Sequence, residues 1–171
     1  MTGLMRFNQW LERIYAATAT RPPKGIIRAA GAIQRFAIVS SGGRLGTRLL
    51  DHPILLLHTI GRRTGKTRAQ PLMYLREADC YLVAASFAGH DQDPAWLTNV
   101  QASPQARITV EGRDIAVLAT IATPEEREHW WPCFLSLSAA YGKYQRSTNR
   151  LIPVVKLSPS VRVRGHIYTP P

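Results

Sequence analysis

The sequence predicts an α+β barrel of mostly antiparallel strands with helices between and beside them. Three observations predict it. Apolar runs of strand length come as a group of three, then two, then one. Glycine- and proline-bearing turns separate the runs within each group, so neighbouring strands return antiparallel. Helix-start signatures fall between the groups and not after every strand, which argues against a doubly wound sheet.

The N-terminal part comes first. Leu4, Phe7, Leu11, Ile14 and Tyr15 recur at helical spacing, with Arg6, Glu12 and Arg13 between them, and Arg21-Pro22-Pro23 ends that helix. A second helical pattern runs through Ile26, Ile27, Ala30, Ile33, Ala37 and Ile38, with Arg28 and Arg35 off its stripe. Ser41-Gly42-Gly43 ends it. Residues 1–50 thus read as a basic amphipathic helical extension, and residues 51–171 as the barrel domain.

Within the barrel, residues 53–60 are a buried strand and 61–67 a turn. Residues 68–76 return as a strand in which Pro71 marks an edge or a bulge. Residues 81–86 are a third strand. Asp93-Pro94 predicts a helix start, N-cap then proline, and Ser103-Pro104 its end. Residues 107–111 and 114–120 form a hairpin around Gly112-Arg113. Thr123-Pro124-Glu125-Glu126 is a capping box that opens a helix carrying Trp130 and Trp131. A tyrosine-bearing segment at 141–144 leads to a last strand at 152–157.

Composition narrows the function. With 171 residues and 45% hydrophobic content, the chain can build a real core. A net charge of +11 implies a polyanionic partner: nucleic acid, an acidic membrane surface or a multiply charged small molecule. The first 50 residues carry eight of the basic side chains (Arg6, Arg13, Arg21, Lys24, Arg28, Arg35, Arg44, Arg48) against Glu12 alone. Such a segment either lies on an anionic membrane or caps the domain with a solvated basic face. Nucleic acid is not an expected partner, because no recognition module is visible. Cys80 and Cys133 form no C-x-x-C pair, and His52, His58, His90, His129 and His166 have no metal spacing, so no metal site is expected. Reduced thiols and the lack of a signal pattern suggest a cytoplasmic protein, with a peripheral place at the inner membrane face left open. The longest apolar run, residues 54–57, is far too short to span a bilayer.

Gly61-Arg62-Arg63-Thr64-Gly65-Lys66-Thr67 imitates a P-loop, yet only three residues precede Gly-Lys-Thr where four are required. A P-loop also opens a helix, whereas residues 68–75 read as a strand. Nucleotide triphosphate hydrolysis is therefore excluded. The turn still concentrates Arg62, Arg63, Lys66 and Arg68, and its glycines allow backbone N–H groups to converge on an anion. Guanidinium forks grip phosphate or carboxylate. On its own the turn reads as a solvated hairpin tip.

Its context decides. Thr59 through Arg68, then Pro71-Leu72, the strand end Leu82-Val83-Ala84-Ala85-Ser86, and Asp93-Pro94-Ala95-Trp96 with Asn99 stand in one order. Pro124-Glu125-Glu126-Arg127, Trp131-Pro132, Tyr141, Tyr144-Gln145, Thr148-Asn149-Arg150 and Ile152-Pro153 continue the series. In order and spacing, residues 50–158 resemble the deazaflavin-dependent nitroreductase family.

The resemblance implies a split β-barrel related to flavin mononucleotide oxidoreductases, with reduced coenzyme F420 as cofactor. It implies hydride transfer to an electron-poor acceptor: a quinone, an enone or a nitroaromatic. Arg62, Arg63, Thr64 and Arg68 would hold the cofactor's phosphate and oligoglutamate tail. Ala69, Gln70, Pro71, Leu72 and Met73 would line the deazaflavin. Ala84, Ala85, Ser86 and Phe87 would meet the ring from the strand end, and Ala95, Trp96 and Asn99 would close the groove. Tyr141 and Tyr144 match an aromatic wall over the substrate, Tyr141 also touching the cofactor. With Ser86 they are the candidate catalytic donors to charge developing on the acceptor. His90 is a further candidate proton donor.

Phe87 stands where many relatives carry lysine, and Met73 and Ser138 where some nitroreductases carry tyrosine. The cofactor class is thus better implied than the acceptor. The competing expectations are a barrel that binds fatty acid or lipid without turnover, and a relative that binds flavin mononucleotide or haem. Related barrels often pair, so a homodimer is an expected assembly.

Overall fold

The computed structural model describes residues 21–41, 48–49, 52–163 and 166–168. The helical pattern from Leu4 to Tyr15 lies outside the described residues. Helix α1 is Lys24–Ser40. Strands β1 (Arg48–Leu49), β2 (His52–Ile60), β3 (Thr67–Met73), β4 (Leu75–Glu77) and β5 (Cys80–Ala84) follow. After a short helical turn at Phe87–Gly89 come α2 (Ala95–Ala102), β6 (Gln105–Val110) and β7 (Arg113–Ile121). The chain continues through α3 (Pro124–Leu137), α4 (Ala139–Arg146), β8 (Val154–Pro159), β9 (Val161–Val163) and β10 (His166–Tyr168).

The main sheet is antiparallel throughout and runs β3-β2-β6-β7-β8-β5-β4, with β1 paired to the start of β2. Its two ends, β3 and β4, are consecutive in the chain and separated by Tyr74 alone. A sheet whose ends are one residue apart must curl, so this connection closes the barrel. The single strand expected over 68–76 therefore breaks at Tyr74, whose N–H bonds back to the Pro53 carbonyl at 3.3 Å. Pro71 is in β3, which pairs with β2 only, as a proline with no N–H requires. β8 lies between β7 and β5 and joins the hairpin strands to the rest.

Alternation sorts the side chains. Leu55 and Leu57 of β2, Val83 of β5 and Ile108 of β6 fill the barrel, and Trp96 and Leu97 of α2 plug it. The opposite faces of β5 and β8, through Leu82, Ala84 and Val154, pack with Trp130, Phe134, Tyr141 and Tyr144 of α3 and α4. A third cluster joins Ile38 of α1 to Ile54, Leu56 and Met73. Each such aliphatic side chain, fully buried, stabilises the fold by about 1.5–3 kcal/mol.

Local signals match in part. Thr123 Oγ1 accepts the Glu126 N–H at 3.2 Å, and Glu126 returns a carboxylate to the Thr123 N–H at 2.9 Å, completing the capping box. The β6–β7 turn falls one residue earlier than expected, on Glu111 and Gly112, both with positive φ. The Asp93 cap does not form: α2 starts at Ala95, and the Asp93 carboxylate bonds Arg150 instead, at 3.0 Å. A charged partner outcompetes a helix N–H. In α1 the apolar stripe divides. Ile38 packs inward, while Ile26, Ile33, Phe36 and Val39 are exposed.

Candidate active site

The turn between β2 and β3 is built from its own backbone. Gly61 N–H bonds the Lys66 carbonyl at 2.9 Å, and the Thr64 and Gly65 N–H groups bond the Gly61 carbonyl at 3.0 and 2.8 Å. Gly61 is required: a Cβ there would lie 2.9 Å from Thr64 Oγ1 and 3.2 Å from the Lys66 carbonyl. Gly65 has φ +64°. Asn99, buried on α2, accepts the Arg62 N–H at 3.2 Å and donates to Thr59 Oγ1 at 3.0 Å. Arg62 Nε donates to Thr98 Oγ1 at 3.3 Å. The expected convergence of backbone N–H groups on an anion is thus not what the turn offers, since those of Gly61, Arg62, Thr64 and Gly65 are engaged internally. What it presents is side chains: Arg62, Arg63, Lys66 and Arg68 are all exposed.

β3 leads away from this turn. Arg68 and Met73 are five residues apart on one strand, about 17 Å. Pro71 and Met73 face outward with their β2 partners Leu56 and Ile54. Gln70 and Pro71 lie against α1, where a Cβ on Gly31 would come within 3.3 Å of Gln70 Nε2. Leu72 instead is partly buried and packs on the barrel core, on the face of β3 opposite Pro71 and Met73. Ala69 is half-buried.

At the far end stands the aromatic cluster. Tyr141 meets Phe134 edge-on at 5.2 Å, Tyr144 at 6.1 Å and Trp131 at 6.2 Å. Met73, Ala84 and Ala88 belong to the same cluster. The Arg127 guanidinium stacks 4.3 Å above Trp131 and donates to the Ile152 carbonyl and to Gln145. Ala85 points into the barrel core. Ser86 is half-buried, and among the described residues no hydrogen bond engages its hydroxyl. Phe87 and Ala88 then adopt left-handed φ of 45° and 50°, followed by Gly89 at 77°. Gly89 is pressed on α4, where a Cβ would overlap Ser147 Oγ.

Arg150 holds this loop. It donates to the carbonyls of Ala85 (2.7 Å), Ser86 (3.0 Å) and His90 (2.9 Å) and to Asp93. Burial lowers the pKa of both Arg127 and Arg150, and Asp93 works against that shift at Arg150. Outside the loop, Arg21 pairs with Asp91, and His90 Nε2 lies 2.9 Å from the Pro22 carbonyl. The His90 ring also packs on Phe87, so its role here is to dock the N-terminal segment.

The structure thus clusters Met73, Ala84, Tyr141 and Tyr144 at one end of β3, with Ser86 and Phe87 in the loop that follows Ala84, and sets Arg62, Arg63, Thr64 and Arg68 at the other end. Ala95 is exposed at the head of α2. Trp96, Ala85 and Leu72 belong to the barrel core, and Asn99 builds the basic turn from behind. Sequence reasoning gave no role to Thr59, Thr98, Arg127 or Arg150. Arg127 and Arg150 do stand in the series that carries the family resemblance, and that was the signal available for them.

Comparison with known proteins identifies the family. Residues 32–159 match the family described as F420H(2)-dependent quinone reductase. An F420H(2)-dependent quinone reductase of Mycobacterium tuberculosis is 33% identical over 158 residues, covering 90% of this chain and 99% of that protein. A solved F420-H2 dependent reductase is 36% identical with a TM-score of 0.58, covering 62% of this chain and 94% of its own. A further solved structure, described as a domain-swapped dimer, is 34% identical with a TM-score of 0.60, covering 80% of this chain and 100% of its own. The deazaflavin class and the split barrel anticipated from the motifs hold, and the family is described by quinone as its acceptor. The chain belongs to the F420H2-dependent quinone reductase family.

Proposed function

We propose that this protein passes hydride from reduced coenzyme F420 to a quinone, with the coenzyme laid along β3. One observation carries the placement: an exposed cationic turn and an aromatic cluster stand at opposite ends of one strand, about 17 Å apart. The coenzyme has matching ends, a flat ring system and an anionic tail of phosphodiester and carboxylates. Arg63 and Arg68 would grip the tail, with Arg62 and Thr64 beside them. Pro71, Met73, Ala84 and Ser86 would border the ring.

Bound reduced F420 supplies a hydride from C5 in one two-electron step. The chain's own groups orient the acceptor and meet the charge that forms on it. A quinone that takes hydride gains negative charge on oxygen. The phenols of Tyr141 and Tyr144 and the Ser86 hydroxyl are neutral donors at that end of β3, suited to that oxygen. The apolar ring of Phe134, Trp131 and Met73 around them excludes water and strengthens each hydrogen bond. Enones and nitroaromatics develop charge in the same place and are proposed as secondary acceptors.

Two features of assembly belong to the same reading. The exposed Ile26, Ile33, Phe36 and Val39 of α1, with Arg28 and Arg35, suit peripheral contact with an anionic membrane, where lipid-soluble quinones reside. No helix among the described residues is long and apolar enough to cross a membrane. A homodimer is proposed on the strength of the domain-swapped relative.

Titrating F420 fluorescence with the protein, in parallel with flavin mononucleotide, tests the cofactor. Equal or tighter binding of flavin mononucleotide would overturn it. Turnover of menadione with reduced F420 tests the reaction and separates it from mere lipid binding.

A further inference from the structure

We infer that Arg150 is a positioning residue for the hydride step, holding the backbone of Ala85 and Ser86 and the turn at Phe87–Gly89 in the geometry the ring requires. The inference rests on the placement of the ring proposed above.

The guanidinium is only 15% exposed and spends its donors on one short stretch of chain. Nη2 takes the Ala85 and Ser86 carbonyls at 2.7 and 3.0 Å, Nε the His90 carbonyl at 2.9 Å, and Nη1 the Asp93 carboxylate at 3.0 Å. Three carbonyl oxygens that point at one place repel each other unless a cation stands there. Between those anchors lies left-handed backbone at Phe87 and Ala88, a conformation that side chains with a Cβ resist. Such backbone persists only when its surroundings hold it. The turn also closes on itself, Gly89 N–H to the Ser86 carbonyl at 2.9 Å and His90 N–H to the Phe87 carbonyl at 3.1 Å. It is met from outside by the Arg21 N–H and Ser147 Oγ at 3.3 Å each and by His90 Nε2 on the Pro22 carbonyl. Among the described residues, though, Arg150 is the one side chain that binds three of its carbonyls at once. Arg150 therefore sets where the Ser86 hydroxyl and the Phe87 ring point. It touches neither cofactor nor acceptor and acts through those two residues. A planar fork suits the task, because a lysine ammonium cannot serve acceptors spread over both edges of a guanidinium.

The test uses the full-length protein. Arg150→Lys keeps the charge and loses the fork. Single-turnover oxidation of bound, reduced F420 by menadione is expected to slow on the order of 10²-fold, the cost of a misplacement near 1 Å. F420 affinity, set at the distant basic turn, should stay within about twofold. Asp93→Asn, which keeps the fork and weakens one anchor, should slow the same step less. If Arg150→Lys fails to unfold cooperatively, Asp93→Asn and Arg150→Ala supplied with methylguanidinium carry the test, and recovery of the rate by methylguanidinium supports the inference. An unchanged rate in folded variants overturns it. So does a loss of rate and affinity that merely follows lost thermal stability and that methylguanidinium does not restore, for that is a strut. Wild-type protein that leaves F420 fluorescence unaltered overturns the placement of the cofactor itself and this inference with it, a result visible before any variant is made.

Discussion

Asn99 Nδ2 lies 3.0 Å from Thr59 Oγ1 in a buried contact, and the other end of the same amide holds the Arg62 N–H. One side chain on α2 thus ties the end of β2 to the cationic turn. Asn99→Leu leaves the Thr59 hydroxyl and the Arg62 N–H without this partner. Stability should fall by about 1–3 kcal/mol in urea titration. F420 binding should weaken as well, because the arginines lose their rigid base. Full retention of F420 affinity would show that the turn needs no such support.

In the proposed placement the cationic turn grips the coenzyme through its side chains, so Arg63→Ala and Arg68→Ala should each weaken F420 binding by about 1.5–3 kcal/mol. Arg62→Ala should cost less, since its Nε is directed to Thr98. The penalties should shrink as salt is added, because exposed charges are screened over about 8–10 Å. Fluorescence titrations at two ionic strengths measure both effects. Affinities equal to wild type would reduce the turn to a solvated hairpin.

Tyr141 is the tyrosine at the centre of the aromatic cluster, in edge contact with Trp131, Phe134 and Tyr144. Tyr141→Phe preserves that packing and removes one hydroxyl. The rate of menadione reduction should drop about 10²-fold or more, with F420 affinity nearly unchanged. Tyr144→Phe should have a smaller effect. If single-turnover rates survive in both, the phenols only shape the pocket.

The outer face of β2, β6 and β7 carries a polar chain unrelated to the cofactor. His58 Nε2 lies 2.9 Å from Thr109 Oγ1, Thr109 donates to Asp114 at 2.6 Å, and Arg107 reaches both His58 Nδ1 and Asp114. Burial, then Arg107, lowers the His58 pKa below the usual 6.5. An unfolded chain then binds its proton first as pH falls, so stability is full above about 6.5 and declines below it toward the folded value. The Thr109 hydrogen bond, then Arg107, lowers the Asp114 pKa below 3.8. Its contribution is present above that value and is lost as pH falls further. Urea unfolding across pH should show both limbs. His58→Asn should flatten the upper limb, and Asp114→Asn should flatten the lower limb while deepening the upper, because Asp114 opposes the lowering of the His58 pKa.

Features decided within a few residues were legible in the sequence. Gly61 and Gly65 announce the β2–β3 turn, Thr123 and Glu126 announce α3, and Pro71 marks a strand with one partner. Features decided by distant partners were not. Asp93 reads as a helix cap because nothing nearby shows Arg150 waiting across the fold. Leu72, Ala85 and Trp96 read as groove residues because the motif names positions, whereas the pleat turns Leu72 and Ala85 toward the barrel core and the helix face of α2 does the same for Trp96. Asn99 was recognised as a site residue, yet its work is to brace the turn from behind. The break at Tyr74 follows only from closing the barrel, which no local pattern encodes.

The place of β8 between β7 and β5 has a consequence for the order of synthesis. On the ribosome, β5 emerges early and can pair with β4 alone. Its other edge, along Tyr81 to Ala84, must wait until α2, the β6–β7 hairpin, α3 and α4 have all been made. At typical elongation rates of about 5–20 residues per second that wait lasts seconds, far longer than a hairpin needs to form. During it an apolar strand edge stands open, and a β8 from another copy that has not yet closed its own barrel fits it as well as the chain's own.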